Sequence, residues 1–379
     1  MEEYIHIGRA HELSTKKDRV VYRALEIMPG LLAWLTLAFI VIISFMAPVF
    51  AAIFIIAFDI YWLIKTIYLS LYMRSSFNKM RHNLRQNWHE KLAGVQSPSP
   101  FLQGLNWKDI YHVVILPMST EPLEVVRESF QGLTNLNYPL DKLIVVLAIE
   151  ERAGEPAKRV AQAVEHEFGG KFFKFITTIH PDGLPGEVRG KGSNEAWAGR
   201  QVKQEVIDPI GIPYKQILVS SFDVDTVVPA DFFACLTWHY LTASEPLRSS
   251  FQPIPLFTNN IWEAPAFARV FAFSTTFWQM IQQARPEQLV TFSSQSISLQ
   301  ALIDVGFWQR NVVSEDSRIF WQCLLYYDGN WQTVPLYFPV YMDANVAPGF
   351  WQTLRNQYKQ IRRWHYGVEN NPYFLFGFL

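Results

Sequence analysis

Two aspartates one residue apart, Asp223 and Asp225, follow the apolar run Ile217–Ser220 in the stretch Phe222-Asp223-Val224-Asp225-Thr226. In a strand, residues i and i+2 point the same way, so both carboxylates are expected to face one ligand. Carboxylates held that close repel unless a cation or a proton sits between them. Hard oxygen ligands suit Mg²⁺ or Mn²⁺, with phosphate oxygens completing the shell. A second acidic pair, Glu315 and Asp316, lies in Val313-Ser314-Glu315-Asp316-Ser317-Arg318, just ahead of the apolar positions Ile319, Cys323 and Leu324. Ser314, Ser317 and the acids suit helix capping, and a carboxylate at a helix start can equally act as a general base.

The third group is Gln360-Ile361-Arg362-Arg363-Trp364. On a helix from about Phe350 to His365, positions 351, 354, 358, 361 and 365 form a largely apolar stripe, with Arg355, Lys359 and Arg362 beside it. Such a basic amphipathic helix suits a membrane interface. Gln360, Arg363 and Trp364, at i, i+3 and i+4, share a separate face that is free to look at a site.

These groups need a frame, and the texture from His112 onward supplies one. Val113–Leu116, Leu143–Ile149, Phe172–Ile176 and Ile217–Ser220 are short apolar runs. Leu123–Leu133, Ala157–Phe168 and Ser193–Val206 are amphipathic stretches between them. That alternation predicts an α/β fold with a mostly parallel central sheet and right-handed crossovers. Ligands of such sheets sit beyond the carboxyl ends of the strands. There the first run offers Glu121 before a helix opened by Pro122, and the second offers Glu150, Glu151 and Arg152, where a nucleotide base or ribose can be bonded. The third region offers Gly190-Lys191-Gly192-Ser193-Asn194, which can present Lys191 and backbone amides to phosphate. It lacks the Walker spacing and is not a P-loop.

Ahead of this unit, no charged residue occurs from Met28 to Phe58. The run exceeds the roughly 20 residues that one helix needs to cross a bilayer. Met46-Ala47-Pro48 breaks it, so two spans are expected, about 28–46 and 49–72. The run is too long and too far from Met1 for a signal peptide. Arg9, Lys16, Lys17, Arg19 and Arg23 precede the hairpin, and Arg74, Lys79, Arg81, Arg85 and Lys91 follow it. By the excess of Lys and Arg, both flanks belong on the cytoplasmic side of the cell membrane. Asp59, inside the second span, is a functional candidate or a polar contact to a neighbouring helix. The formal net charge of −1 over 379 residues argues against a nucleic-acid partner. Cys235 and Cys323 lack metal-ligand spacing and suit a reduced core.

In this order (strand-end carboxylates, Asp223-Val224-Asp225, Glu315-Asp316, Gln360-Ile361-Arg362-Arg363-Trp364) the chain resembles the inverting family 2 glycosyltransferases, above all the membrane-embedded branch with cellulose and hyaluronan synthases. The resemblance covers roughly residues 110–367 and the preceding hairpin. It implies a GT-A fold with an N-terminal transmembrane hairpin and a C-terminal amphipathic interface helix. It implies that Asp225, helped by Asp223, holds a Mg²⁺ or Mn²⁺ ion on the diphosphate of a UDP- or GDP-linked sugar. Asp316 is then the catalytic base toward the acceptor hydroxyl, with Glu315 beside it in the substrate site. Gln360, Arg363 and Trp364 contact the diphosphate and the acceptor, while Glu121, Glu150 and Lys191 line the nucleotide pocket. Family members usually carry aspartate where this chain has Ile149-Glu150-Glu151.

The resulting division is a cytoplasmic segment 1–27, two transmembrane helices within 28–73, a linker 74–108 broken at Ser97-Pro98-Ser99-Pro100, and a GT-A domain 109–345. The interface helix occupies 346–367, and an apolar stub 368–379 is a possible start of a further transmembrane region. A glycan or lipid-linked acceptor at the bilayer is expected, with sugar added once or processively, as in polysaccharide biosynthesis for a cell envelope. Further spans after Leu379 would favour a processive, exporting synthase. A catalytically silent scaffold of an envelope assembly complex is the alternative, although Asp223, Asp225 and Asp316 are all present. A nucleotidyltransferase also fits paired aspartates, but leaves Asp316 and the Gln360–Arg363–Trp364 face unexplained.

Overall fold

The computed structural model describes residues 4–95 and 99–379, so the Ser97-Pro98 part of the expected proline break lies outside the described residues. The uncharged run fills two helices, α1 (Lys16–Met46) and α2 (Pro48–Asn83), separated by Ala47 alone. Pro48 opens α2, where its missing N–H leaves no helical bond unmade. Both helices are long and apolar enough to cross a membrane. Their side chains point outward: Trp34 is 74% and Phe45 85% exposed. A surface that apolar is penalised by water and suits lipid.

α2 continues past residue 72, where the second span was expected to end. The reason is amphipathic. Arg74, Lys79 and Arg81 are charged, yet Ser76 and Met80, one turn apart, are buried, with Met80 packed in a small cluster with Ile254 and Met280. A short α3 (Trp88–Ala93) follows, and its Trp88 is 1% exposed against Trp238 and Phe338.

The remaining chain builds one sheet with helices on both faces. Its elements in order are β1 (Tyr111–Met118), α4 (Leu123–Thr134), β2 (Leu143–Glu150), α5 (Gly154–Phe168), β3 (Lys174–His180), α6 (Lys191–Val202), α7 (Asp208–Ile210), β4 (Ile217–Ser221), α8 (Phe232–Thr242), β5 (Ser249–Phe257), α9 (Ala266–Gln283), β6 (Gln295–Ser298), α10 (Leu299–Asp304), α11 (Glu315–Tyr326) and β7 (Gln332–Met342). The strand order is β3-β2-β1-β4-β6-β5-β7. Strands β1 to β4 are mutually parallel, and β6 runs antiparallel to both its neighbours. β7 pairs parallel with β5.

Strand alternation divides the core. Leu143, Val145, Leu147 and Ile149 of β2 face α4, α5 and α8 in one cluster. Ile144, Val146 and Ala148 face α6, α10 and α11 in the other. A sheet buried on both faces requires such continuous apolar strands. Cys235 and Cys323 are free and buried, one in each cluster.

α12 (Phe350–His365) follows β7 and packs on α9, a turn spans Tyr366–Glu369, and α13 (Asn370–Gly377) comes last. Over the former stub, Asn370, Pro372 and Tyr373 are buried. α13 packs on α1, whereas α2 packs on α9 and β7.

Candidate active site

The carboxyl ends of β1, β2 and β4 open into a cleft of about 1200 Å³ lined by Glu121, Glu150, Arg152, Lys191, Asp223, Asp225, Asp343, Gln360 and Arg363. A second recess of about 780 Å³ continues from Lys191 and Asp223 to Glu315, Asp316 and Trp364. Glu121, Glu150, Lys191, Asp223, Asp225, Glu315, Asp316, Gln360, Arg363 and Trp364 therefore border one connected site, whereas Glu151 and Asp59 are not part of its lining.

The aspartate pair, expected in a strand, stands on the turn beyond one. β4 ends at Ser221, and the Thr226 N–H donates to the Asp223 carbonyl at 2.9 Å, closing a turn. The two carboxylates keep different partners. Asp223 receives Lys191 Nζ at 2.8 Å and the Ser293 hydroxyl at 2.6 Å. Burial pushes the Asp223 carboxyl up, but the Lys191 ammonium outweighs it and holds the group below the usual range. Asp225 keeps one buried oxygen, Oδ1, without a partner, while its other oxygen accepts from the Asp343 N–H at 3.4 Å. Burial, then Asp223, then Asp343 push the Asp225 carboxyl up to about 8. An orphaned carboxylate oxygen among like charges is a place a divalent cation fits.

Lys191, the first residue of α6, is the hub. Its Nζ also lies 3.0 Å from Asp316 Oδ1 and 3.6 Å from Glu195 Oε1. Carboxylate oxygens of Glu195, Glu315 and Asp316 lie within 4.8 Å of one another. Burial opposes the Lys191 charge, yet Asp223, Asp316, Glu195 and Glu315 together raise its pKa well above normal. Glu195, fully buried and bonded to the Ser221 hydroxyl, is pushed up to about 8 by burial. Burial also raises Glu315 and Asp316, with Lys191 working against it at both.

Asp316, second in α11, stands on a pinned backbone: its carbonyl accepts from the Thr291 hydroxyl at 2.6 Å and from Gln295 Nε2 at 3.0 Å. Ser314 does not cap this helix with its side chain, because its hydroxyl donates to Glu369 instead. Gly192 sits against Glu315 so closely that an added Cβ would lie 2.7 Å from Glu315 Cβ and 3.2 Å from the Gln309 carbonyl. Gly192→Ala is therefore expected to push α6 and α11 apart, at about 1–3 kcal/mol of strain. Thermal unfolding of the variant checks this, and an unchanged midpoint would contradict the close approach.

Elsewhere the roles are more local. Glu121 accepts from the Ser119 N–H at 2.7 Å, and Glu150 is held by Arg152. Gln360 accepts from Gln357 and Asn345, and Trp364 meets the Phe292 ring edge-on at 6.2 Å. Asp59 lies on the exposed surface of α2. Sequence reasoning missed Glu195, Asp343 and the Thr291–Gln295 segment. Only the last carries a local trace, the run of hydroxyls Thr291, Ser293 and Ser294 ahead of β6, with Ser294 at φ 67°.

A scan against protein-family models gives no match, and no curated protein matches the chain. Among solved structures, the mannosyltransferase PcManGT from Pyrobaculum calidifontis, in complex with GDP-Man and Mn²⁺, is 14% identical over 82% of this chain and 83% of its own, at a TM-score of 0.45. S. aureus TarS 1-349, in complex with UDP-GlcNAc, is 11% identical over 63% of this chain and 60% of its own, at a TM-score of 0.39. The longer S. aureus TarS structure is matched over 39% of its length. The chain thus spans less than two thirds of either TarS structure. Likenesses at this level assign neither a reaction nor a ligand.

Proposed function

We propose that this protein is a membrane-bound inverting glycosyltransferase that moves a sugar from a nucleoside-diphosphate donor to a glycan or lipid-linked acceptor. One observation carries the reading: a half-buried carboxylate, Asp316, stands one lysine away from Asp223, in a site that also receives Arg363. A base and a phosphate-binding pole side by side are what such a transfer needs.

Asp316 takes the proton of the acceptor hydroxyl as that oxygen bonds the anomeric carbon from the face opposite the leaving group. The bond from the anomeric carbon to the diphosphate oxygen breaks, and its electron pair leaves with the nucleoside diphosphate. Lys191 and Arg363 stabilise the charge that gathers there. Asp223 and Asp225 would hold Mg²⁺ or Mn²⁺, Asp225 through its orphaned Oδ1. Such an ion, when bound, supplies further charge stabilisation to the diphosphate. Gln360 and Trp364 border the acceptor side, while Glu121 and Glu150 border the nucleotide side. Helices α1 and α2 are the membrane anchor, with the flanking basic residues cytoplasmic. The exposed Trp351, Leu354 and Tyr358 of α12 rest at the interface.

The test is nucleoside-diphosphate release by the detergent-purified protein, offered a panel of UDP- and GDP-sugars with Mg²⁺ or Mn²⁺. Turnover of one donor, stopped by a chelator, is the expected result. No release from any donor, even with membrane lipids and glycan acceptors added, would sink the proposal.

A further inference from the structure

We infer that Glu369 is a positioning residue for Asp316, and that it ties the Gln360–Arg363–Trp364 helix to the base; the catalytic part of this inference rests on the transferase reading above. Glu369 ends the turn after α12. A single oxygen of its side chain, Oε1, accepts three bonds: from the Val313 N–H at 3.2 Å, the Ser314 N–H at 3.2 Å and the Ser314 hydroxyl at 2.7 Å. These donors sit immediately ahead of Glu315 and Asp316, where a helix start leaves its N–H groups unpaired and favours a negative charge. Ser314 occupies the cap position without capping, and Glu369 accepts from outside the cap residue's own N–H, the bond that an acid in the first turn makes in a capping box.

The same junction is fastened from both chain ends. Arg318, on the first turns of α11 and fully buried, donates Nη2 to the Glu369 carbonyl at 3.2 Å and lies 3.9 Å over the Tyr373 ring. Asn370 Nδ2 donates to Ser317 Oγ at 2.9 Å. The Tyr373 hydroxyl donates to the Ile5 carbonyl at 2.7 Å, ahead of the first membrane helix, and Gln309 Nε2 donates to the His6 carbonyl at 3.1 Å. The base is thus held by residues remote from it in sequence. A displacement of about 1 Å at a reacting group can cost about 10²-fold in rate.

Because one oxygen does the work, Glu369→Gln keeps an equivalent acceptor and Glu369→Leu removes it. The experiment compares wild type, Glu369→Gln and Glu369→Leu in two ways: kcat and donor KM for nucleoside-diphosphate release, and hydrogen exchange of peptides covering residues 311–317 in the full-length protein. Expected for Glu369→Leu is a kcat lower by about 10²-fold, a donor KM within about 2-fold, and faster exchange confined to that segment. For Glu369→Gln, kcat and exchange should stay close to wild type. Rescue by Gln separates a positioning contact from a general loss of folding, which exchange across the whole chain would also reveal. Unaltered exchange at 311–317 in Glu369→Leu overturns the inference, as does wild-type kcat in that variant or a Gln variant as impaired as Leu. If wild type releases nothing from any donor, the transferase reading falls, and the exchange result alone decides whether Glu369 holds the base segment.

Discussion

Asp316→Asn is expected to lower turnover by about 10²–10⁴-fold, the usual worth of a positioned general base. The substitution keeps the shape of the side chain and removes its capacity to take a proton. It leaves the backbone anchorage intact, since Thr291 and Gln295 bond the Asp316 carbonyl and not its carboxylate. Donor binding should survive, because Asp223 still holds Lys191 at 2.8 Å. Steady-state release of the nucleoside diphosphate measures the loss, and nucleotide titration measures the binding. A variant retaining more than a tenth of wild-type turnover, with donor affinity unchanged, would remove Asp316 from the base role.

Lys191→Met should have the other large effect, on stability as well as on activity. With the ammonium gone, Asp223, Asp316, Glu195 and Glu315 face one another around an apolar side chain. Removing one partner of a fully buried ion pair typically costs about 3–5 kcal/mol; the loss here should fall below that, because Lys191, Asp223 and Asp316 are 17%, 36% and 25% exposed and water screens them. A carboxylate cluster can recover part of that by taking up protons, so the loss should be smaller in acid than at neutral pH. Thermal unfolding at two pH values measures both statements. The variant should also bind the donor diphosphate weakly. A neutral-pH midpoint equal to that of wild type would mean that Lys191 does not hold these acids together.

The parts of the site that sit next to strand ends were legible, because a strand end is a local pattern. Asp223, Asp225, Lys191 and Glu150 all follow apolar runs that a reader can find, and α12 begins and ends where its periodicity says. The turn at Asp223–Thr226 was not legible: it depends on β4 stopping at Ser221 and on the bridge that Val227 makes to Tyr341. That same bridge brings Asp343 to Asp225 from more than a hundred residues away, and no spacing rule reaches so far. Glu195 reads as an ordinary acid on a helix until α6 is laid against β4, where it meets Ser221. Strands β5 and β7 stayed unassigned because Gln252, Pro253, Pro255, Pro335 and Pro339 interrupt their apolar pattern, and β6 because Gln295, Ser296 and Ser298 leave Ile297 as its single apolar residue. The extension of α2 to Asn83 was hidden by its charges, which share the helix with a buried face.

The two long apolar helices are docked at separate places, α1 on α13 and α2 on α9 and β7. A body hung from one hinge can swing; a body bolted at two points cannot. If both helices sit in a bilayer, as proposed, the two dockings would hold the cleft at one height and tilt over the lipid surface, like the head of a fixed lathe. Whatever is worked there has to be carried past the cutting point, since the head does not travel to meet it.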